Sequence, residues 1–319
     1  MTPPITDQDI RDAAAALRGI AVRTPLLWVP ALGAYLKRED LQPVGAFKVR
    51  GAYNAVRRLE DTTRRRGVIT YSSGNHGQAL AFAAKQFGVR AVVTMPETAP
   101  AIKVAGVKRW GGEVVLAGRT SEDRRVVAEE IAAREGLAIV PPFDHPDIVA
   151  GQATVGLEVA EELPDVATVV VPVGGGGLVS GVVRGLVVAG SRAVVWGVEP
   201  AGAPKLTRSW AAGHAVRLDR SASVADGLIT LTVGEVPFAV LQRYRDRFAG
   251  VVTVADDSIR EAVHFLWREC GLVVEPSGAA TTAALRSGAV PPSAGGPIVL
   301  VVSGGNLDPA TLEAETGTP

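Results

Sequence analysis

Short apolar runs rich in valine and isoleucine recur along the chain, and amphipathic stretches separate them. The runs are Gly67–Tyr71, Ala91–Met95, Glu113–Leu116, Leu137–Val140, Ala167–Val173, Ala193–Val198, Val251–Val254 and Ile298–Val302. Each has the length and composition of a buried strand. Helical spacing marks Val49–Leu59, Gln78–Phe87, Ala101–Trp110, Ser121–Arg134, Ile148–Leu163, Leu178–Ala189, Ser258–Arg268 and Ser277–Leu285. Thr6 followed by Asp9 reads as the start of a first helix that Gly19 ends, and Ser121 reads as a cap. Arg23–Leu27 and Leu36–Asp40 read as extended segments, Val216–Leu231 as irregular, and Pro309 onward as a frayed helix and tail. Strands apolar at every position, alternating with helices, predict parallel sheets covered on both faces, and so the α/β class. The turn-rich stretch Pro141–Pro146 is the best candidate for a crossing between domains.

Composition narrows the function classes. The chain has 319 residues, 47% of them hydrophobic and 21% charged, which suits a globular protein with a large core. Its 33 basic and 33 acidic residues give a net charge of +0, so no basic surplus points to nucleic acid or an anionic membrane. Cys270 is the only cysteine, which excludes an intrachain disulfide and a cysteine zinc cluster. The N-terminal MTPPITDQDI lacks the pattern of a secretion signal, and Arg184 interrupts the longest apolar stretch. A cytoplasmic location is therefore expected. No repeat of solenoid period is present.

Four stretches carry candidate chemistry. In Gly45–Gly51, Lys48 follows Phe47 at the start of a predicted helix. Apolar surroundings and a helix N-terminus both disfavour an ammonium, which makes the amine nucleophilic and able to condense with an aldehyde. A surface lysine lying along Phe47 would read the same way in isolation. Gly174-Gly175-Gly176-Gly177 leaves a buried strand and enters a helix, the arrangement of a phosphate cradle. It lacks the Gly-Lys-Ser/Thr ending of a nucleoside triphosphate loop and the spacing of a dinucleotide fingerprint. Ser72-Ser73-Gly74-Asn75-His76-Gly77 also joins a strand to a helix and suits a carboxylate, although a simple helix cap accounts for it equally. Ser303-Gly304-Gly305-Asn306 ends the last strand. Ligands in open parallel sheets bind at the carboxyl ends of strands, so the last three loops are expected to converge on one anionic ligand.

These residues carry a resemblance. The motifs KREDLQPVGAFKVRGAYNA, SSGNHGQALAFAA, AGQATVGLEV, VPVGGGGLVSG, ADGL and VVSGGNLD occur in this order between about Ile10 and Asp308. The chain resembles the fold-type II pyridoxal phosphate enzymes, and among them the serine/threonine dehydratases and serine racemases. That resemblance implies two open, twisted parallel-sheet domains with helices on both faces, the fold shared with the tryptophan synthase β subunit. The large cofactor-binding domain would comprise residues 1–66 and 145–319, with a small mobile domain, 67–144, inserted in it. It also implies a homodimer.

By the same resemblance, Lys48 forms the Schiff base with pyridoxal 5′-phosphate and acts as base on one face of the substrate. Phe47 packs beside the cofactor ring, Gly174, Gly175, Gly176 and Gly177 hold its phosphate, Asn75 bonds its ring hydroxyl, and Ser303 faces its ring nitrogen. A neutral hydroxyl there, rather than a carboxylate, favours loss of a β-leaving group over transamination. Ser72, Ser73, Asn75 and His76, with the loop amides, hold the substrate carboxylate, and Asp226 approaches the substrate hydroxyl, though a turn residue before Gly227 would also be aspartate. Ser73 stands where the racemases carry their opposite-face acid. The expected activity is dehydration and deamination of a β-hydroxy amino acid such as L-threonine or L-serine to a 2-oxo acid and ammonia. The alternatives are serine racemisation, a bulkier substrate such as hydroxyaspartate or phenylserine, and a non-catalytic cofactor-binding protein. Metal-activated relatives carry E-P-x-x-A-x-D. Here the segment is Glu199-Pro200-Ala201-Gly202-Ala203-Pro204-Lys205, with a lysine in place of the second acid. Lys205 is expected to pair with Glu199, and no divalent metal is expected there.

Overall fold

The computed structural model describes residues 5–72, 74–99, 101–118, 120–291 and 295–307. Ser73, an expected catalytic and carboxylate-binding residue, lies outside the described residues, as does the tail expected from Pro309. The strands are β1 (Leu26–Val29), β2 (Ala34–Arg38), β3 (Val68–Tyr71), β4 (Ala91–Met95), β5 (Glu113–Leu116), β6 (Ala138–Ile139), β7 (Thr168–Pro172), β8 (Val194–Pro200), β9 (Phe248–Val254) and β10 (Ile298–Val302). The helices are α1 (Asp7–Ala16), α2 (Lys48–Arg58), α3 (Asp61–Arg66), α4 (Asn75–Gln86), α5 (Ala101–Arg109), α6 (Ser121–Glu135), α7 (Pro146–Glu162), α8 (Gly177–Val188), α9 (Lys205–Ala212), α10 (Glu235–Arg243), α11 (Asp256–Cys270) and α12 (Pro276–Arg286).

Two sheets form, in the α/β class. The larger has six strands in the order β1-β2-β10-β7-β8-β9, and the smaller has four, β5-β4-β3-β6. The smaller is parallel throughout. In the larger, the edge strand β1 runs antiparallel to β2, which corrects the expectation of wholly parallel sheets. The Pro30–Gly33 connection is too short for a crossover and folds as a tight turn, with Gly33 N–H donating to Pro30 O at 3.1 Å. Along β7 and β10 alternate residues enter opposite cores. Val169, Val171, Val299 and Val301 face one cluster with Val179 and Val182 of α8, whereas Val170, Leu300 and Val302 face another with Ile259 of α11 and Ala280 of α12. That two-sided burial explains why these strands are apolar at every position but Thr168, each large side chain contributing about 1.5–3 kcal/mol.

Helices α2, α7 and α8 pack closely behind the site. A Cβ on Gly185 would stand 2.0 Å from Ala153 O, and one on Gly151 would stand 2.5 Å from Arg50 O. Glycine at these crossings lets the backbones approach, and so fixes the axis of the helix that begins at Lys48.

Local signals differ from the sequence reading in three places. The cap of α6 is Thr120, not Ser121; its Oγ1 accepts from Asp123 N–H while the Asp123 carboxylate accepts from Thr120 N–H. Helix α4 begins at Asn75 rather than Gln78. Helices α3, α9 and α10 were not expected. Among the described residues no helix is long and apolar enough to cross a membrane, and no cluster of three or more His, Cys, Asp or Glu side chains has the spacing of a metal site.

Candidate active site

Among the described residues, Phe47, Lys48, Asn75, Gly174, Gly175, Gly176, Gly177, Asp226 and Ser303 lie on one closed circuit of contacts. Phe47 N–H donates to Ser303 O at 3.1 Å, and Ala46 bridges to Gly304, so the segment entering α2 is fastened to the end of β10. Lys48 is the first residue of α2, and its Nζ donates to Pro142 O at 2.7 Å. The same Nζ lies 5.1 Å from the centre of the Phe47 ring. It has no ion-pair partner among the described residues, and burial pulls the amine down to about 8.

Next to Pro142, Phe143 lies on the glycine loop. A Cβ on Gly175 would fall 2.2–2.4 Å from its ring carbons, and one on Gly177 would be 3.2 Å from its Cβ. At Gly174 a Cβ would meet Gly227 O at 2.8 Å. Gly176 has φ +90° and faces Val233 Cγ2, so it too excludes a side chain. Among the described residues the amides of Gly174, Gly175, Gly176 and Gly177 donate to no protein acceptor. Four donors without partners, at a strand end and the N-terminus of α8, fit a phosphate dianion.

The circuit continues through Asp226, in a 3-10 turn beside Gly227. Its Oδ2 pairs with Lys103 of α5, which belongs to the smaller sheet's layer, and the Lys103 stem lies against Gly74. Asn75 opens α4, donating through Nδ2 to Glu275 Oε1 at 2.6 Å and accepting through Oδ1 from Asn306 Nδ2 at 2.9 Å. Glu275 in turn sits over Gly304, where a Cβ would be 2.4 Å from its Oε1, and this closes the circuit beside Ser303. Burial pushes the Glu275 carboxyl up to about 7, with Asp226 adding to the effect and Lys103 and Asn75 opposing it.

Two side chains of the carboxylate loop bond within the protein. The Ser72 hydroxyl accepts from Gly74 N–H at 3.2 Å and shapes its own loop. The His76 ring is buried against Val140 O, 3.1 Å from Nε2, and is held neutral, its pKa lowered to about 3 by burial and then by the Lys48 charge. A neutral ring donating through Nε2 leaves Nδ1 as a bare acceptor, which repels a carboxylate. The first amides of α4, those of Asn75 and His76, make no hydrogen bond among the described residues and so offer donors to an anion.

A buried ionic network anchors α2 directly behind Lys48. Arg50 reaches both oxygens of Glu39 at 2.7 and 2.8 Å and both oxygens of Glu158 at 2.6 and 2.9 Å, and Lys37 meets Glu158 at 2.6 Å. Lys205 and Glu199 are also fully buried, 3.1 Å apart, below the glycine loop. Sequence reasoning did not single out Phe143, Lys103 or Glu275. Only Glu275 left a trace, as an acidic residue before Pro276 at a predicted helix start.

Comparison with known proteins adds a family match and named relatives. A family model described as pyridoxal-phosphate dependent enzyme matches residues 17–304. The chain is 37% identical over 310 residues to the L-threonine ammonia-lyase of Thermotoga maritima, covering 95% of this chain and 76% of that protein. It is 38% identical over 309 residues to the L-threo-3-hydroxyaspartate ammonia-lyase of Saccharomyces cerevisiae, covering 94% and 93%. Among solved structures, maize serine racemase superposes with a TM-score of 0.91 at 34% identity, covering 99% of this chain and 98% of that one.

Proposed function

The chain belongs to the pyridoxal-phosphate dependent enzyme family, and we propose that it dehydrates and deaminates a β-hydroxy amino acid, L-threonine or L-serine, to a 2-oxo acid and ammonia. The observation that carries this reading is the Lys48 amine. It is brought down to about 8 beside a glycine loop whose four amides await an anion. The donor set fits the cofactor: Gly174, Gly175, Gly176 and Gly177 would hold the phosphate, and Phe47 and Phe143 would flank the ring. The second proton of Asn75 Nδ2 would be free for the ring hydroxyl, and Ser303 would face the ring nitrogen. When bound, pyridoxal 5′-phosphate supplies an aldehyde that captures amines and an electron-withdrawing ring that acidifies the α-hydrogen.

The amides of Asn75 and His76 fix the substrate carboxylate at the positive end of α4. This orientation turns the Cα–H bond toward Lys48, whose free amine takes the proton. An amine near 8 is a base already partly unprotonated at neutral pH, and the ammonium it becomes would give its proton to the departing β-hydroxyl, which leaves as water. Asp226 keeps Oδ1 for the β-hydroxyl while Lys103 holds Oδ2. Arg50, locked between Glu39 and Glu158, keeps the start of α2 from shifting as the lysine changes charge. Residues 67–144 would close over the bound substrate, with Lys103 and Asp226 meeting across the cleft.

Racemisation is the second reading. Ser73 in the sequence and the likeness to maize serine racemase favour it. The test is product partitioning: cofactor-loaded protein is given L-serine or L-threonine, and 2-oxo acid and D-serine are measured together. Abundant pyruvate or 2-oxobutanoate with little D-serine is expected. D-serine outpacing pyruvate would assign the racemase reaction instead, and the absence of both would point to another β-substituted amino acid such as 3-hydroxyaspartate.

A further inference from the structure

Lys205 has the surroundings of a metal ion rather than of a lysine. Its Nζ, with the side chain wholly buried, lies 2.9 Å from Val173 O, 2.9 Å from Leu228 O, 3.1 Å from Ala203 O and 3.1 Å from Glu199 Oε1. The carbonyls of Val173 and Leu228 have no other donor among the described residues. Both oxygens of Glu199 also accept from the chain, from Leu206 N–H at 2.7 Å and from Thr207 N–H and Oγ1 at 2.8 Å. Burying an ammonium is costly, and a positive charge at the first turn of α9 opposes the helix dipole. An apolar side chain of the same volume would leave the Glu199 carboxylate and the facing carbonyls buried without a cation. What the ammonium alone supplies is a positive centre for oxygens from three separate loops.

Those loops build the cofactor site. Val173 precedes Gly174, Leu228 follows the Asp226-Gly227 pair, and Gly227 O lies against Gly174. Without a cation their carbonyls would point at one another and at a carboxylate, and the loops would separate. We propose that Lys205 is an internal cation that orders the glycine loop for phosphate binding, and that shortening it converts the cage into a site for a free monovalent cation of ammonium size. The distances set the size. At 2.9–3.1 Å the oxygens stand too far out for Mg²⁺, which takes about 2.0–2.1 Å, or Ca²⁺, about 2.3–2.6 Å.

The test uses the wild type, Lys205→Ala and Lys205→Met in tetramethylammonium buffer at constant ionic strength. K⁺, NH₄⁺ or Mg²⁺ is titrated in. The readouts are thermal unfolding of the cofactor-free protein and its affinity for pyridoxal 5′-phosphate, followed by absorbance. The wild type is expected to ignore all three ions. Lys205→Ala is expected to lose affinity about tenfold or more, in keeping with a buried carboxylate left unpaired, and to regain most of it with K⁺ or NH₄⁺ but not Mg²⁺. Lys205→Met, whose uncharged chain fills the cage, is expected to lose affinity without rescue. A Lys205→Ala chain that folds only in K⁺ supports the proposal equally. The proposal is overturned by an alanine variant that no monovalent cation restores, by a methionine variant equal to the wild type, or by a wild type that itself responds to K⁺.

Discussion

Glu275 offers a quantitative check on the electrostatics of the site. Its side chain is 3% exposed, and its carboxyl sits at about 7 instead of 4.5 because burial disfavours the anion. The native state therefore holds this proton more tightly than the unfolded chain does. The stability this confers is fully present below about pH 4.5 and is lost as pH rises through about 7, a difference of about 3 kcal/mol. Glu275→Gln removes the titration. It keeps an amide oxygen to accept from Asn75 Nδ2, so the network itself survives. The assay is chemical denaturation of cofactor-free wild type and variant from pH 4.5 to 8.5. His76 pulls the other way, since its depressed pKa confers stability that is present above about 6.5 and lost as pH falls toward 3, but it is common to both proteins and cancels in the difference. The variant is expected to gain on the wild type steadily up to pH 7 and to level off about 3 kcal/mol ahead of its low-pH standing. A difference that stays flat across this range would refute a buried, proton-holding Glu275.

Other outcomes follow from the same geometry. Gly176→Ala places a Cβ 2.8 Å from Val233 Cγ2 at a φ of +90°, and is expected to cost about 1–2 kcal/mol in thermal unfolding and to weaken binding of inorganic phosphate. Unchanged phosphate affinity would exclude the loop as the cradle. Only the free amine attacks an aldehyde, so the rate at which cofactor-free protein captures pyridoxal 5′-phosphate is expected to rise with pH through about 8. A rate that rises only near the ordinary lysine value would show that Lys48 is not desolvated.

The strands that carry the site were legible because burial on both faces makes them apolar without interruption, and the glycine loop was legible because no other residue fits beside Phe143, Val233 and Gly227 O. Lys48 was legible through its motif rather than its surroundings. Three helices were not. The charged α3 buries no residue, α9 opens directly after a Gly/Pro-rich turn, and Pro237 reads as a breaker although the first turn of α10 tolerates it. The packing of the His76 ring against Val140 O was not legible because a ring pointing into the core and one pointing into the cleft have the same sequence. Glu275, Lys103 and Phe143 enter through contacts between distant segments, such as Asn75 with Glu275, and no local pattern announces them. Lys205 stood out only as a departure, and its four oxygens come from loops that the chain brings together in space.

The attachment site of the cofactor tests the assignment most directly. The loaded protein is reduced with borohydride and digested, and the residue carrying the pyridoxyl mass is located by mass spectrometry. The label is expected on Lys48 alone and is expected to vanish in Lys48→Ala. A label on the buried Lys37 or Lys205, or on the half-buried Lys103, would contradict the account and require the site to be rebuilt around that residue.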